Sequence, residues 1–263
     1  MKLRIIKGVI NMVSNNFDAT IKSELYKGNK NLVTFSCGDN ETKIRSSVFE
    51  DCINLKAIKL SMNTKVLGDF VFKNCRSLGS VYLPDTISCI GFGVFEGCSS
   101  LTKVYYSEGI KELPPYTFKD CSDLSIITLG GSIERIGEYS FSGCKSLRKI
   151  TLPMTVSMLG AGVFSGCGKL ESITIPSPVQ YIYKDTFKDC ISLKSITFGV
   201  RLELIDLSCF NGCTNLKEIY FTSNVIIENE IENKDVTVYG LKDSFIEEYC
   251  KENNIKFVAI NVR

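Results

Sequence analysis

The sequence contains no histidine and no tryptophan. Without histidine, the chain cannot build a Ser-His-Asp or Cys-His catalytic centre, a histidine-ligated zinc site or a histidine proton relay. It also lacks a glycine-rich phosphate-binding loop, an acidic metal-binding loop, paired catalytic carboxylates and a C-x-x-C pair. These absences exclude a large part of enzyme chemistry. We therefore predict a non-enzymatic protein that has no cofactor and no metal site.

An excess of charge and a long apolar run are also missing. The 31 Lys and Arg residues nearly balance the 29 Asp and Glu residues, so the chain has no basic footprint for nucleic acid. No apolar run reaches the roughly 18 residues that a membrane span requires. The first ten residues are basic and apolar, as in a signal peptide, but Lys7 interrupts them and no small-residue cleavage site follows. The sequence therefore predicts no nucleic-acid binding, no membrane insertion and no signal peptide.

The sequence does contain a repeated motif, F-x-x-C-x-x-L-x-x-I/V, which recurs every 23 residues. The first complete copy runs from Phe49 through Cys52 and Leu55 to Ile58, and seven more follow without an insertion. A degenerate copy precedes them, with Tyr26 in the Phe slot. A constant register indicates that like side chains stack in successive turns of a superhelix, because one repeat cannot bury its own apolar face.

Within one repeat the pattern predicts a strand, a bend and a short helical turn. Ile150 and Leu152 alternate with Lys149 and Thr151, as in a strand with one buried face. A second apolar pair follows, and the glycine after it suits a tight bend. This glycine is found at Gly91, Gly137 and Gly160. The residue before each repeat Cys is Asp, Asn or Gly, so we predict a left-handed corner that ends the helical turn there.

The pattern resembles the leucine-rich repeat superfamily, and specifically its BspA-like class, also described as the Treponema pallidum-type repeat. The matching phrase is L-x-x-I-x-L-P-x-x-V-x-x-I-G-x-x-V-F-x-G-C, which is fullest between Leu78 and Cys98. Local departures are Pro114, Tyr183 and Asp206, which stand in the glycine slot. The resemblance implies an α/β-type solenoid: a right-handed superhelix with a concave parallel β-sheet and short helical turns on the convex side.

The solenoid is predicted over residues 26–232, as about nine repeats, and its exposed apolar ends need caps. We expect residues 1–25 to form the N-terminal cap and residues 233–263 to form the C-terminal cap. In the latter, residues 236–240 and 254–260 predict two strands around a helix.

The helix of the C-terminal cap is predicted over Ser244–Asn253, with Ser244 as N-cap and Glu247 completing a capping box. Its apolar face is predicted from the spacing of the apolar side chains. That face should contain Phe245, Ile246, Tyr249 and Cys250. The strand-helix-strand ending also resembles the C-terminal segment of bacterial BspA-like proteins.

Twelve cysteines invite a disulfide or metal interpretation, but eight of them occupy one repeat slot. Neighbours in such a column would lie about 5 Å apart, within disulfide range, yet their Cβ vectors would run parallel. We therefore predict a buried column of free thiols that pack as small apolar groups. Cys37 and Cys209 are assigned to the core, whereas Cys89 is the cysteine for which exposure is expected.

The outward side chains of the predicted strands form the candidate partner-binding site, because leucine-rich repeat proteins commonly bind partners on the concave sheet. Tyr82 and Tyr105, flanked by Lys59 and Lys103, make an amphipathic patch of the kind enriched at interfaces. The alternative is plain β-propensity, since Tyr and Thr suit exposed strand positions for packing reasons alone. The candidate residues are Lys59, Tyr82, Lys103, Tyr105, Thr128, Lys149, Thr151, Thr174, Thr197 and Tyr220.

The sequence therefore predicts a monomeric binding module for a protein or glycan. The resemblance implies a cell-surface or secreted adhesin, since BspA-like proteins of bacteria and some protists often engage host matrix proteins or other microbes. The alternative is a cytoplasmic scaffold or regulatory interaction protein, which the lack of an evident signal peptide favours if the chain is complete. Localisation stays open between the two.

Overall fold

The computed structural model describes residues 20–106 and 108–260 with their side chains, and residues 2–6 and 9–13 as backbone strands. Short strands from successive repeats stack into two columns. The first column forms the concave sheet and contains Lys2–Ile6, Val9–Val13, Thr34–Ser36, Ala57–Lys59, Ser80–Tyr82, Lys103–Tyr105, Ile126–Thr128, Ser172–Thr174, Ser195–Thr197, Glu218–Tyr220, Thr237–Gly240 and Lys256–Ala259. The second column contains Thr20–Ile21, Lys43–Ile44, Val66–Leu67, Cys89–Ile90, Glu112–Leu113, Arg135–Ile136, Met158–Leu159, Tyr181–Ile182, Leu204–Asp206 and Ile226–Glu228.

Equivalent residues of neighbouring repeats lie side by side in both columns. In the concave sheet Val104 is placed between Val81 and Ile127, one repeat away on either side. In the second column Ile182 lies beside Ile205. Except for the antiparallel pair at residues 2–6 and 9–13, the described strand pairs are parallel. This architecture confirms the predicted leucine-rich repeat solenoid.

A ladder of phenylalanine rings forms the centre of the core. Each ring from Phe49 to Phe210 stacks on the next, with centroids 5.4–5.8 Å apart, and every one is at most 1% exposed. Tyr26 stacks on Phe49 at 5.6 Å, so the degenerate first copy is in register with the others. The ladder runs through the solenoid because the phenylalanine slot recurs at a constant interval.

The repeat cysteines form a second ladder beside the rings. Each thiol donates to the backbone carbonyl of the aromatic residue in the preceding repeat, as from Cys121 Sγ to Phe95 O at 3.1 Å and from Cys213 Sγ to Phe187 O at 3.0 Å. Burial raises the pKa of the Cys167 thiol to about 12, which keeps it protonated. The core assignments of Cys37 and Cys209 and the exposure of Cys89 are confirmed.

The predicted helical turns before each phenylalanine are wrong for most repeats. The segments form hydrogen-bonded turns instead, because they open on a left-handed residue such as Phe70 (φ 56°) or Tyr116 (φ 62°). The residue before each repeat Cys is also left-handed, with φ from 58° to 77°, which confirms the predicted corner. With both ends held left-handed, a helix cannot propagate between them.

One repeat does contain a short 3₁₀ helix, Leu207–Phe210. Here Asp206 stands in the slot that glycine occupies in several other repeats, and its carboxylate accepts from the Ser208 N–H at 3.0 Å. Ser208 stands in the slot that is left-handed in other repeats but does not have a positive φ. An N-cap and a right-handed start therefore allow the turn to become helical.

The glycine after the second apolar pair allows two neighbouring turns to approach closely. The prediction that it provides a tight bend through its conformational freedom is wrong. None of Gly91, Gly137 and Gly160 has a positive φ. A Cβ added to Gly137 would lie 2.5 Å from the backbone nitrogen of Pro115 in the preceding repeat. At Gly91, Gly137 and Gly160 the neighbouring turns approach too closely for a Cβ, whereas Pro114, Tyr183 and Asp206 show that other turns accommodate a side chain in the same slot.

The C-terminal strand-helix-strand arrangement is as predicted, with helix α1 spanning Phe245–Glu252. Ser244 is its N-cap, but the Glu247 carboxylate accepts from the Asp243 N–H and not from that of Ser244. Ile246 is buried as expected, whereas Phe245 is 54% exposed. The prediction for Phe245 was wrong because the helix turns about 100° per residue, which carries this ring out of the face that Ile246 buries.

The boundaries proposed for the two caps stay predictions. The side chains of residues 1–19 and all of residues 261–263 lie outside the described residues, so the capping role of residues 1–25 is untested. Within the described ranges, no helix combines the length and the apolar character needed to cross a membrane.

Candidate partner-binding face

The candidate residues lie on the concave strand column, with their side chains alternating with the buried ones. Tyr105 lies between Tyr82 and Thr128 on neighbouring strands. Farther along, Thr197 lies between Thr174 and Tyr220. Lys59 is in register with Ser36 of the preceding repeat. The sheet thus presents one outward surface, which we call the concave face.

The N-terminal half of the concave face carries an aromatic pair with a cation. Tyr82 and Tyr105 have ring centroids 6.3 Å apart and remain 52% and 47% exposed. Lys103 Nζ lies 4.5 Å from the centroid of the Tyr105 ring, within the range of a cation–π interaction. Lys103 therefore covers one face of the Tyr105 ring, while about half of each tyrosine remains open to solvent.

The concave face carries three lysines whose positive charge is not neutralised by a described carboxylate. Lys59, Lys103 and Lys149 form no ion pair with any described residue. Arg148, by contrast, is paired with Glu171 at 3.1 Å. The three lysines therefore leave positive charge on the concave face without an internal counter-charge.

The ladder of the concave sheet has two breaks among the described residues. Ala57–Lys59 and Ser80–Tyr82 are adjacent but not paired, and no strand forms at residues 149–151, between Ile126–Thr128 and Ser172–Thr174. Ile150 is buried there, with Lys149 and Thr151 exposed, so the predicted alternation is confirmed. The predicted strand is not, because among the described residues no backbone hydrogen bond joins residues 149–151 to either neighbour.

Two open grooves flank this interrupted segment. One has a volume of about 470 Å³ and is lined on its far side by Ile126, which is 53% exposed. The other measures about 240 Å³ and includes Met154, which is 68% exposed. Apolar walls and backbone groups without a partner in the described protein thus lie together at the middle of the concave face.

The C-terminal end of the same face carries an aromatic pair that the sequence reading missed. Tyr220 and Tyr239 stack with centroids 4.4 Å apart and planes within 9°, and Tyr220 Oη donates to Glu218 Oε2 at 3.1 Å. Partial burial, followed by this hydrogen bond, raises the pKa of Tyr220. Tyr239 follows Tyr220 by 19 residues and not by 23, so the repeat interval did not identify it. The alternation of Val236 and Val238 with Thr237 and Tyr239 was the signal that could have placed Tyr239 on the outward side of the last strand.

The concave face and the core differ in the chemical groups that they expose. In the part of the chain that the structure describes, no group of three cysteines or carboxylates is placed to hold a metal ion. The repeat thiols are buried at the core and turned toward backbone carbonyls, away from the concave face. Exposed aromatic rings, lysines and open backbone groups are what the face offers to another molecule.

Comparison with known proteins agrees with the geometry. The family described as "BspA type Leucine rich repeat region" matches in 6 copies, over residues 11–125 and 111–234. No curated protein sequence matches the chain. The pneumococcal vaccine antigen PcpA has a similar structure, with a TM-score of 0.58 and 19% identity over 88% of this chain and 68% of its own. A leucine-rich repeat protein of T. pallidum gives a TM-score of 0.49 at 19% identity, over 82% of this chain and 87% of its own. At 19% identity, the likeness to PcpA shows a shared fold.

Proposed function

We propose, from the premise that the chain belongs to the BspA-type leucine-rich repeat family, that it is a non-enzymatic module whose concave face binds a protein or a glycan. Proteins of this repeat family typically mediate protein–protein interaction.

The observation that carries the proposal is the cluster of Tyr82, Lys103 and Tyr105. Tyrosines bury a large area at low conformational cost and are enriched among the residues that dominate binding energy. Here two of them are adjacent and half exposed, and Lys103 Nζ lies over the ring of one of them, Tyr105. Because Lys103 has no carboxylate partner among the described residues, a partner that brings a carboxylate or sulfate beside an apolar group would complement the cluster.

The interrupted segment at residues 149–151 supports the same surface. A partner that lies across the face can insert an apolar side chain into either groove and meet unpaired backbone groups of the segment. Such groups are hydrogen-bonding sites that an uninterrupted ladder does not offer. The interruption therefore adds backbone hydrogen-bonding sites to a face that otherwise offers side chains.

Family membership supports a more specific proposal, adhesion: a surface-exposed module that engages a host matrix protein. PcpA is described as a vaccine antigen, and a leucine-rich repeat protein of Faecalibacterium prausnitzii is described as a cell surface protein. The alternative is a cytoplasmic scaffold with the same binding face. Protease added to intact cells separates them, because it degrades a surface protein and spares a cytoplasmic one.

Binding to immobilised matrix proteins, measured by biolayer interferometry, tests the face directly. Tyr82→Ala with Tyr105→Ala should weaken a specific interaction by about tenfold or more, as expected for central interface aromatics. Phe92→Ala is the matched control, since Phe92 is 51% exposed outside the concave face. If a partner binds saturably and the unmodified protein, the double tyrosine variant and Phe92→Ala all have the same affinity for it, the binding surface lies elsewhere.

A further inference from the structure

The second strand column carries an apolar surface that the concave face does not include. Its outward slot holds Met158, Tyr181, Leu204 and Ile226 in consecutive repeats, and Phe245 of helix α1 extends the row. The row is well exposed: Met158 53%, Tyr181 43%, Ile226 55% and Phe245 54%. Leu204 is partly exposed. We call these five side chains the outer strip.

The outer strip is continuous. Tyr181 lies beside Leu204, which lies beside Ile226, and the strand of Met158 contacts that of Tyr181. Ile226 and Phe245 line one open groove of about 310 Å³. Contiguous apolar side chains of this kind mark interaction surfaces far more often than scattered ones do.

The fold does not require apolar side chains in this slot. In earlier repeats the slot is occupied by Glu112 and Arg135, which form an ion pair of 2.8 Å across neighbouring strands. A charged pair is therefore compatible with the same backbone. The fold therefore does not explain why the slot is apolar in every repeat from Met158 to Ile226, whereas a binding partner does.

Carboxylates that no described cation neutralises border the outer strip. Glu248 and Glu252 line the groove with Phe245, and Glu203 accepts from the Tyr181 hydroxyl at 3.4 Å. None of the three forms an ion pair with a described residue. The border is thus negative, and a cationic partner would complement it.

We propose that the outer strip binds a cationic amphipathic helix of a partner protein. Neighbouring strands place the strip side chains about 4.8 Å apart, close to the 5–6 Å between side chains three or four residues apart on a helix. Three such intervals, from Met158 to Ile226, correspond to about 10 residues of helix at about 1.5 Å each. The helix would lie along the solenoid axis, with its apolar row on the strip and its lysines facing the carboxylate border.

The proposal is independent of the function assigned to the concave face. It concerns the opposite half of each repeat, and none of the five strip residues lies on the concave face. Loss of one site therefore leaves the other testable.

Fluorescence anisotropy with a synthetic helix of leucine and lysine, about 14 residues long, tests the outer strip. Leucine is placed at i, i+3, i+4 and i+7, and a scrambled peptide of equal composition is the specificity control. We expect saturable binding of the amphipathic peptide alone, weakened at least about tenfold by Ile226→Ser with Phe245→Ser. Glu203→Gln with Glu248→Gln should weaken binding and reduce its dependence on salt.

Ile191→Ser is the matched control protein, because Ile191 is 52% exposed outside the strip. Circular dichroism establishes that each variant remains folded. Equal binding of the scrambled peptide, or unchanged affinity of the strip variants, would overturn the proposal. So would analytical ultracentrifugation that shows a strip-dependent dimer, since the occupant would then be a second copy of this chain.

Discussion

Phe118 stacks on Phe95 with ring centroids 5.4 Å apart and planes within 2°. The two rings are separated by 23 residues and belong to successive turns. This contact is repeated along the ladder, so the stability of the solenoid is distributed over many equivalent neighbour contacts. Removing one ring should therefore affect both adjacent repeats.

Phe118→Ala should lower the free energy of unfolding by about 3–5 kcal/mol, because it removes a fully buried ring and leaves a cavity between two stacked neighbours. Urea denaturation followed by circular dichroism measures the change. Phe92→Ala, which truncates an exposed ring, should cost less than about 1 kcal/mol. Similar losses for the two variants would contradict the assignment of the core.

Gly137→Ala should destabilise the protein by about 1–3 kcal/mol, since the added Cβ forces a backbone shift in the adjacent turn. That Cβ would lie 2.5 Å from the Pro115 nitrogen. Gly79→Ala is the matched control, because a Cβ there meets nothing within 4 Å. Thermal unfolding of both variants checks the prediction, and a neutral Gly137→Ala would show that the turns can move apart without cost.

The repeat pattern could predict the core because the same residue type stacks on itself at every turn. Tyr26 is an example: its position in the repeat was enough to predict that it stacks in the phenylalanine ladder, and it does stack on Phe49. Structural features that recur in every repeat can be predicted from a single sequence. The slots of the phenylalanine, the cysteine and the left-handed corner are all of this kind.

Features that depend on how two particular turns meet could not be read in this way. The phrase at Leu147–Leu152 alternates like its neighbours, yet residues 149–151 do not join the ladder. Phe245 fits the apolar pattern of its helix but is turned outward. In both cases the outcome depends on the packing between elements, which a pattern within one element does not record.

Alkaline pH should destabilise the protein through its buried thiols. Burial raises the pKa of Cys167 to about 12 from an ordinary value of 9.0, and burial likewise raises the pKa of Cys121 and Cys144. The unfolded chain therefore loses these protons at a lower pH than the folded one does. The stabilisation is complete below about pH 9 and is lost as the pH rises toward 12, at about 1.4 kcal/mol per pH unit for each thiol.

Urea denaturation between about pH 9.5 and about pH 10.5 measures this slope. Cys167→Ala removes one buried thiol and should reduce the slope by about 1 kcal/mol per pH unit. Cys89→Ser, which replaces an exposed thiol, is measured alongside as the control for the loss of a cysteine. A slope that is unaffected by Cys167→Ala would show that this thiol titrates alike in the folded and unfolded states.

Hydrogen exchange should reveal the interruption of the concave ladder. The amides of residues 149–151 form no backbone hydrogen bond with a described residue, and grooves on both sides admit water. They should exchange at least about tenfold faster than those of Ser195–Thr197, whose strand is paired on both sides. Mass spectrometry of peptides that cover each segment makes the comparison within one sample. Equal protection would mean that the sheet is continuous in solution, and the backbone groups at residues 149–151 would then be unavailable to a partner. Faster exchange that is suppressed when a concave-face partner is added would place that partner on the interrupted segment.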